Sequence, residues 1–138
     1  VVTPIEENDL CEMTIREGQR RAYCGNSQLF FDICDVDSLD TFHLPDNVAL
    51  LDIEKIEFPL TLRRWKDGDS FIPFGMNGRK KVSDFLIDQK VSMAEKERQF
   101  VLLSGNEIAW VVGRRTSDDF RITDKTEKIL RITRENIY

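Results

Sequence analysis

The residues of this sequence with the clearest chemistry are Lys and Arg, and they are concentrated between residues 63 and 90. Basic side chains neutralise the phosphates of nucleic acids, and the release of counterions supplies much of the affinity. The spacing therefore predicts a phosphate-binding surface. The candidate residues are Arg63, Lys66, Arg79, Lys80, Lys81 and Lys90, with Arg114 and Arg115 as a second group.

Arg63 and Arg64 are adjacent in a predicted strand over residues 60–65, so they point to opposite faces. Arg64 shares its face with two leucines, which we expect to face the core. Arg63 is then the freer candidate for phosphate. For Arg64, an ion pair with Asp67 or Asp69 and a contact with phosphate are equally compatible with the sequence.

The run 79–81 directly precedes a predicted helix at 82–89. Cations at a helix N-terminus oppose the helix dipole, whereas a bound anion is stabilised there. A phosphate at this position is favoured over a solvated charge run offset by Asp84 and Asp88. These two carboxylates lie four residues apart on one helix face, and we interpret them as structural.

Apolar residues of the segment 71–78 have two interpretations. Phe71, Phe74 and Met76 lie between glycines, and an aromatic ring there could stack on an exposed RNA base. We favour the alternative, in which they fill the core of the domain. Trp110 is likewise predicted to be a core residue. Arg121 lies near Asp118 and Asp119, so part of the second basic group is expected to pair internally.

Patterns for catalysis and metal binding are weak. The chain has one histidine, His43, and three widely spaced cysteines, Cys11, Cys24 and Cys34. Their odd number and the absence of a Cys-x-x-Cys pair argue against a disulfide framework or a zinc site. We expect reduced thiols, which are typical of a cytoplasmic protein. We predict no catalytic residue, no metal site and no cofactor in this chain.

Length and charge limit the classes of protein. The 138 residues suit one domain, and the apolar runs are far shorter than the roughly 20 residues that span a bilayer, so no membrane partner is expected. Residues 1–58 carry a net charge of −9 and residues 59–138 carry +4. This asymmetry indicates an oppositely charged partner at one end, or acidic and basic faces that pack together. Because the chain opens with Val1, we expect residues to be missing upstream.

Short alternating apolar runs predict a mostly β, α+β fold with layered sheets and one short helical pair. The first 47 residues are predicted to be an acidic, strand-rich segment that packs on or leads into a main domain over 48–138. Ser92 and Glu95 have capping-box spacing for the second helix. The predicted strands are 11–16, 21–24, 29–34, 48–53, 60–65, 100–103, 107–112 and 128–133, the helices are 82–89 and 92–99, and loops cover 35–47 and 70–78.

Two segments carry a family resemblance. Residues 59–90 contain Arg-x-x-x-Gly-Asp-x-Phe-x-Pro-x-Gly-Met followed by Lys-Lys-x-Ser-Asp-Phe-x-Ile-Asp, and residues 108–122 read Ile-Ala-Trp-Val-Val-Gly-Arg-Arg-Thr-Ser-Asp-Asp-Phe-Arg-Ile. Both resemble the C-terminal domain of bacterial tRNA(Ile)-lysidine synthetases. The resemblance covers residues 48–132 well and residues 1–47 little.

The resemblance implies a function for the full-length enzyme. Members ligate lysine to C2 of the wobble cytidine of CAU-anticodon isoleucine tRNA, using ATP and Mg²⁺ in an N-terminal catalytic domain. The phosphate loop of that domain contains Gly-Gly, which this chain lacks. The implied role here is to hold tRNA(Ile), around the acceptor stem, beside the enzyme's own catalytic domain. The implied fold is shared with the phenylalanyl-tRNA synthetase β chain. The alternative is a protein-interaction module, including a homodimer.

Overall fold

The computed structural model describes residues 12–25, 27–38 and 45–136. Short strands dominate this part of the chain, together with two helices, α1 (Val82–Asp88) and α2 (Met93–Glu97). The strands are β1 (Met13–Ile15), β2 (Arg21–Cys24), β3 (Ser27–Asp35), β4 (Val48–Asp52), β5 (Leu60–Arg64), β6 (Ser70–Phe71), β7 (Lys80–Lys81), β8 (Phe100–Ser104), β9 (Glu107–Val111), β10 (Arg115–Thr116) and β11 (Lys128–Asn136).

Two antiparallel sheets form the frame. Sheet A has the order β1-β5-β8-β9-β10, and sheet B has the order β2-β3-β11-β4. β3 and β11 pair over nine positions, from Ser27 opposite Asn136 to Asp35 opposite Lys128. The last strand thus lies in the middle of sheet B, beside strands from both sides of residue 47. The boundary placed at residue 47 stays a prediction, although these strands share one sheet.

The main core lies between the two sheets. Leu62 and Trp110 from sheet A and Leu29 and Ile132 from sheet B belong to one cluster of buried apolar side chains. Trp110 is 1% exposed, which confirms its prediction as a core residue. Alternation along each strand directs one face inward and leaves the other face for polar residues or for a second layer.

Helix α1 forms that second layer on the other face of sheet A. Phe85 and Leu86 of the helix pack with Val101 and Leu103 of β8 in a separate apolar cluster. β8 is therefore covered on both faces, and all five of its residues are buried. A strand buried on both faces needs a continuous apolar run, which is the pattern at residues 100–103.

The predicted helical pair is confirmed, with shorter helices. The Glu95 backbone N–H donates to Ser92 Oγ at 3.2 Å, so Ser92 caps α2 as its spacing predicts.

Segment 70–78 was predicted to be a loop, but Ser70–Phe71 pairs with Lys80–Lys81. Strands of two residues have no periodicity to recognise, and β10 was missed for the same reason.

Some predictions fall outside the described residues. They concern the leader at 1–9, Cys11, His43, residues 39–44 of the loop predicted at 35–47, Asn26 of the predicted turn, and the thiol of Cys24. Cys34 is a free, half-buried thiol. No helix within the described ranges is long and apolar enough to cross a membrane.

Candidate nucleic-acid interface

Arg63 lies in an ion pair within the domain. Its NH1 donates to Asp69 Oδ2 at 2.9 Å and its NH2 donates to Asp69 Oδ1 at 3.1 Å. Both side chains are largely buried. The expectation that Arg63 is the freer of the two adjacent arginines is therefore wrong: the β5–β6 turn returns Asp69 to the face that Arg63 occupies.

Arg64 has the opposite environment. Its guanidinium carbon lies 6.0 Å from the centre of the Phe100 ring. Its buried Nε has no hydrogen-bond partner within the described residues. Arg64 pairs with neither Asp67 nor Asp69, the two partners that the sequence allowed: Asp69 pairs with Arg63, and Asp67 is exposed in the turn.

The basic run before α1 is partly neutralised. Arg79 NH1 donates to the Ser70 carbonyl and hydroxyl at 3.2 and 3.0 Å, and its NH2 lies 3.7 Å from Glu107 Oε2. Lys80 pairs with Asp88. Lys81 is exposed and precedes the helix without a side-chain cap.

Two other predicted lysines lie at turns. Lys66 is exposed in the β5–β6 turn, and Lys90 is exposed just after α1 with a φ of 58°. Among the described residues, Lys66, Lys81 and Lys90 form no salt bridge. Of the predicted phosphate-binding lysines, these three therefore remain available to a ligand.

Arg114 is held by a buried glutamine. Arg114 Nε donates to Gln99 Oε1 at 2.8 Å. The Gln99 amide donates in turn to the carbonyls of Phe100 and Val112 at 2.8 and 2.9 Å. Arg115 lies elsewhere, with its guanidinium carbon 5.4 Å from the centre of the Phe85 ring. The two arginines predicted as one group therefore have different partners, although both line a second pocket beside Trp110.

Four arginines line one groove, which we call the arginine groove. It encloses about 570 Å³, and Glu95 is the one acidic residue among the described residues that line it. Strands of both sheets contribute, because β5 ends at Arg64 and β11 carries Arg134. The four residues are Arg64, Arg98, Arg114 and Arg134.

Sequence reasoning missed most of this groove. Only Arg114 was among the predicted phosphate-binding residues. Arg98 and Arg134 are isolated in sequence, and only the pairing of β11 with β3 brings Arg134 toward the start of β8. The position of Arg64 within the Arg-x-x-x-Gly-Asp pattern was the one available signal.

The aromatic segment divides between core and surface. Phe71 is 1% exposed and packs edge-on against Phe85, with ring centres 5.2 Å apart. Phe74 and Met76 are 53% and 41% exposed. The core interpretation is confirmed for Phe71 and wrong for the other two, because the turn after Pro73 carries them outward.

Across the described ranges, no three His, Cys, Asp or Glu side chains cluster as metal ligands would.

Solved structures share this fold. A crystal structure of a TILS C-terminal domain superposes with a TM-score of 0.76 at 15% identity, covering 92% of this chain and 98% of that chain. An N-terminal fragment of the phenylalanyl-tRNA synthetase β-subunit from Pyrococcus horikoshii gives 0.56 at 15% identity, over 66% of this chain and 28% of that chain. The chain is thus a mostly β, α+β domain of the type found in these two proteins, which confirms the predicted fold class.

Residues 60–133 match the family described as the TilS substrate C-terminal domain, and because this is more than half of the chain, the chain belongs to that family. The tRNA(Ile)-lysidine synthase of Parabacteroides distasonis is 58% identical over 83 residues, covering 60% of this chain and 19% of that protein. That of Bacteroides thetaiotaomicron is 45% identical over 91 residues, covering 64% and 21%. The chain spans about a fifth of the length of these curated relatives.

Proposed function

We propose that this chain is the tRNA-binding C-terminal domain of a tRNA(Ile)-lysidine synthase. The single observation that carries the RNA-binding role is the arginine groove, where the described residues bring together four guanidinium groups and one carboxylate, in a chain that is acidic overall. A polyanion would neutralise such a concentration of positive charge. The relatives are named tRNA(Ile)-lysidine synthases, so tRNA is the polyanion that we propose.

In the full-length enzyme, the reaction would be the ATP-dependent ligation of lysine to the wobble cytidine of CAU-anticodon tRNA(Ile), in the cytoplasm. ATP, lysine and Mg²⁺ would bind in a separate catalytic domain. The role proposed for this domain is to hold the tRNA, at the acceptor stem, and so fix its register relative to that catalytic domain. Phosphate contacts position a nucleic acid without reading its sequence.

Binding of labelled tRNA to the chain at two salt concentrations tests this function. Affinity for RNA phosphates falls steeply with salt, so raising the salt from about 50 to about 200 mM should weaken binding at least tenfold. An absence of binding at low salt, or an affinity independent of salt, would contradict the proposal.

An interaction module is the second candidate, and exposed apolar residues favour it. Ile87 and Met93, from the two helices, are 61% and 75% exposed. The partner would be the enzyme's own catalytic domain or a second copy in a homodimer. Association through apolar surface is insensitive to salt, so sedimentation at the same two salt concentrations separates this candidate from RNA binding.

A further inference from the structure

We propose that the arginine groove binds a phosphate group of the RNA, with Gln99 fixing the direction of Arg114 and Gly113 lying against Arg134. This inference rests on the proposed tRNA-binding function and deepens it by assigning a site. The groove consists mainly of residues that the sequence did not single out, and it lies apart from the basic run before α1.

Seven arginines have no salt bridge within the described residues, and four of these seven line the arginine groove; the other three are Arg16, Arg21 and Arg115. Arg20, Arg63, Arg79, Arg121 and Arg131 each form a salt bridge with a carboxylate. None of the four groove arginines forms one within the described residues, although the chain contains 25 acidic residues. The lining carboxylate, Glu95, is bonded to Ser92, with its Oε1 3.4 Å from the hydroxyl. The groove therefore retains a concentrated positive charge.

One of the four guanidinium groups, that of Arg114, is oriented by a hydrogen bond before any ligand arrives. Arg114 uses only Nε for Gln99, so its two terminal nitrogens remain donors for a ligand. Arg134 lies over Gly113, where an added Cβ would be 3.5 Å from both Arg134 Cδ and NH1. Gly113 has a φ of 77°, which a glycine adopts without strain. Preorganised donors lose less entropy when they bind.

Arg64 adds a donor that lacks an acceptor. Buried polar groups nearly always have a partner, and the partner of Arg64 Nε is not among the described residues. A guanidinium presents its donors in a planar fork that matches the oxygens of phosphate. Four guanidinium groups have more hydrogen-bond donors than one carboxylate has acceptors. The groove therefore favours a polyanion over a single acidic side chain.

The test compares two double variants with equal loss of charge. Arg98→Ala with Arg134→Ala removes two groove arginines. Arg20→Ala with Arg131→Ala removes two arginines that pair with Asp32 on sheet B. Labelled tRNA is titrated against the wild-type chain and both variants over a series of salt concentrations. We expect the groove variant to bind at least tenfold more weakly at about 100 mM salt, with a log–log salt slope flatter by about one to two units. The control variant should stay within about twofold of wild type.

Folding is checked by circular dichroism and thermal unfolding. Arg98 is exposed, so the single variant Arg98→Gln provides a second measurement if the double variant unfolds. It should lose affinity in the same direction, by about threefold or more. If both folded variants bind like wild type, the groove assignment is wrong while the tRNA-binding function stands. If the wild-type chain itself does not bind tRNA, both proposals fail.

Two further binding experiments identify the ligand of the arginine groove. Oligoribonucleotides with a 5′-phosphate and with a 5′-hydroxyl distinguish a terminal phosphate from an internal phosphodiester. A preference of about tenfold for the 5′-phosphate that disappears in the groove variant would assign the terminal group, and equal affinities would assign the diester. Polyglutamate is the protein-like competitor. If it displaces tRNA from the groove as effectively as RNA of equal charge, an acidic protein surface replaces RNA and the proposal is overturned.

Discussion

Arg63 and Asp69 form a two-point ion pair that closes the turn between β5 and β6, with nitrogen–oxygen distances of 2.9 and 3.1 Å. The Lys66 backbone N–H also donates to Asp69 Oδ2 at 2.7 Å. Burial of the Asp69 carboxyl raises its pKa, but the hydrogen bonds from Arg63 and Lys66 outweigh it, so the pKa lies below its ordinary value. Asp69 is therefore a structural residue of the Gly-Asp pattern.

Replacing Asp69 by Asn should lower the free energy of unfolding by about 1–3 kcal/mol at pH 7, because Arg63 loses charged hydrogen bonds while it stays largely buried. Urea unfolding measures the loss. Asp67→Asn is the matched control, since Asp67 is exposed in the same turn. An equal effect of both changes would contradict the structural role of Asp69.

The same variant has a predictable pH dependence. A carboxyl whose folded pKa is lowered contributes stability above its unfolded pKa, near 4, and loses that contribution as the pH falls through the folded pKa. The difference between wild type and Asp69→Asn should thus be constant from about pH 6 to 8 and shrink toward pH 3. Unfolding curves at pH 7, 5 and 3 test this. A difference that grows on acidification would reverse the assigned sign.

Gln99→Leu should destabilise the domain by about 1–3 kcal/mol, although leucine fills a similar volume. The change removes the donor to the Phe100 and Val112 carbonyls and the acceptor for Arg114. Gln89→Leu is the control, because Gln89 is exposed just after α1. Thermal unfolding compares the two. If Gln99→Leu were neutral, the buried amide network would have no role in stability.

Changing Arg79, Lys80 and Lys81 together to Ala should weaken tRNA binding at low salt. The sequence alone predicts a salt slope flatter by about 2–3 units if each side chain neutralises one phosphate. Lys80 pairs with Asp88, and Arg79 lies near Glu107. Of the three single variants, we therefore expect Lys81→Ala to cause the largest loss of tRNA affinity. Binding isotherms of the triple and single variants measure these shares. An unchanged slope with intact circular dichroism would assign the run to a solvated surface.

The elements were predictable where the chain has a regular pattern. The run at 100–103, Gly105 and the run from 107 define the β8–β9 hairpin, and Ser92 with Glu95 defines the start of α2. Two-residue strands have no such signal. The faces of β5 could also be assigned, since Leu60 and Leu62 are buried.

The candidate site was less predictable because it depends on contacts between distant residues. The alternation of side chains along β5 predicts that Arg63 is free to bind phosphate. In the structure, Asp69, six residues later, forms an ion pair with Arg63. The groove needs the pairing of β11 with β3, which no local pattern encodes. Arg98 and Arg134 carry no motif, so only the fold brings them near Arg114.

This chain alone should have no ligase activity. Adenylation needs backbone amides around the triphosphate of ATP, and the Gly-Gly of the family's phosphate loop is absent from the sequence. Incubation with ATP, lysine and tRNA(Ile), followed by assay of pyrophosphate release, is the measurement. The heat-inactivated chain is the control. Turnover above that control would show that the chain itself carries catalytic groups.

The anticodon should not affect binding to this chain. The basic side chains that line the arginine groove are all arginines, and guanidinium groups contact phosphates from any sequence. The major groove of an A-form helix is too narrow for side chains to read bases, so recognition of a duplex relies on shape, phosphates and 2′-hydroxyls. Under the proposed function, these contacts would fix where the tRNA lies, and the catalytic domain would select the nucleotide.

We therefore expect tRNA(Ile) with a CAU anticodon and the same tRNA with GAU to bind this chain with affinities within about tenfold of each other, which is 1.4 kcal/mol. Competition between the two tRNAs at one salt concentration measures the ratio directly, and the Arg98→Ala, Arg134→Ala variant should weaken both equally. A larger preference for CAU would mean that bases of the anticodon are read by this domain. The proposal that this domain only positions the tRNA, while the catalytic domain selects the nucleotide, would then be wrong.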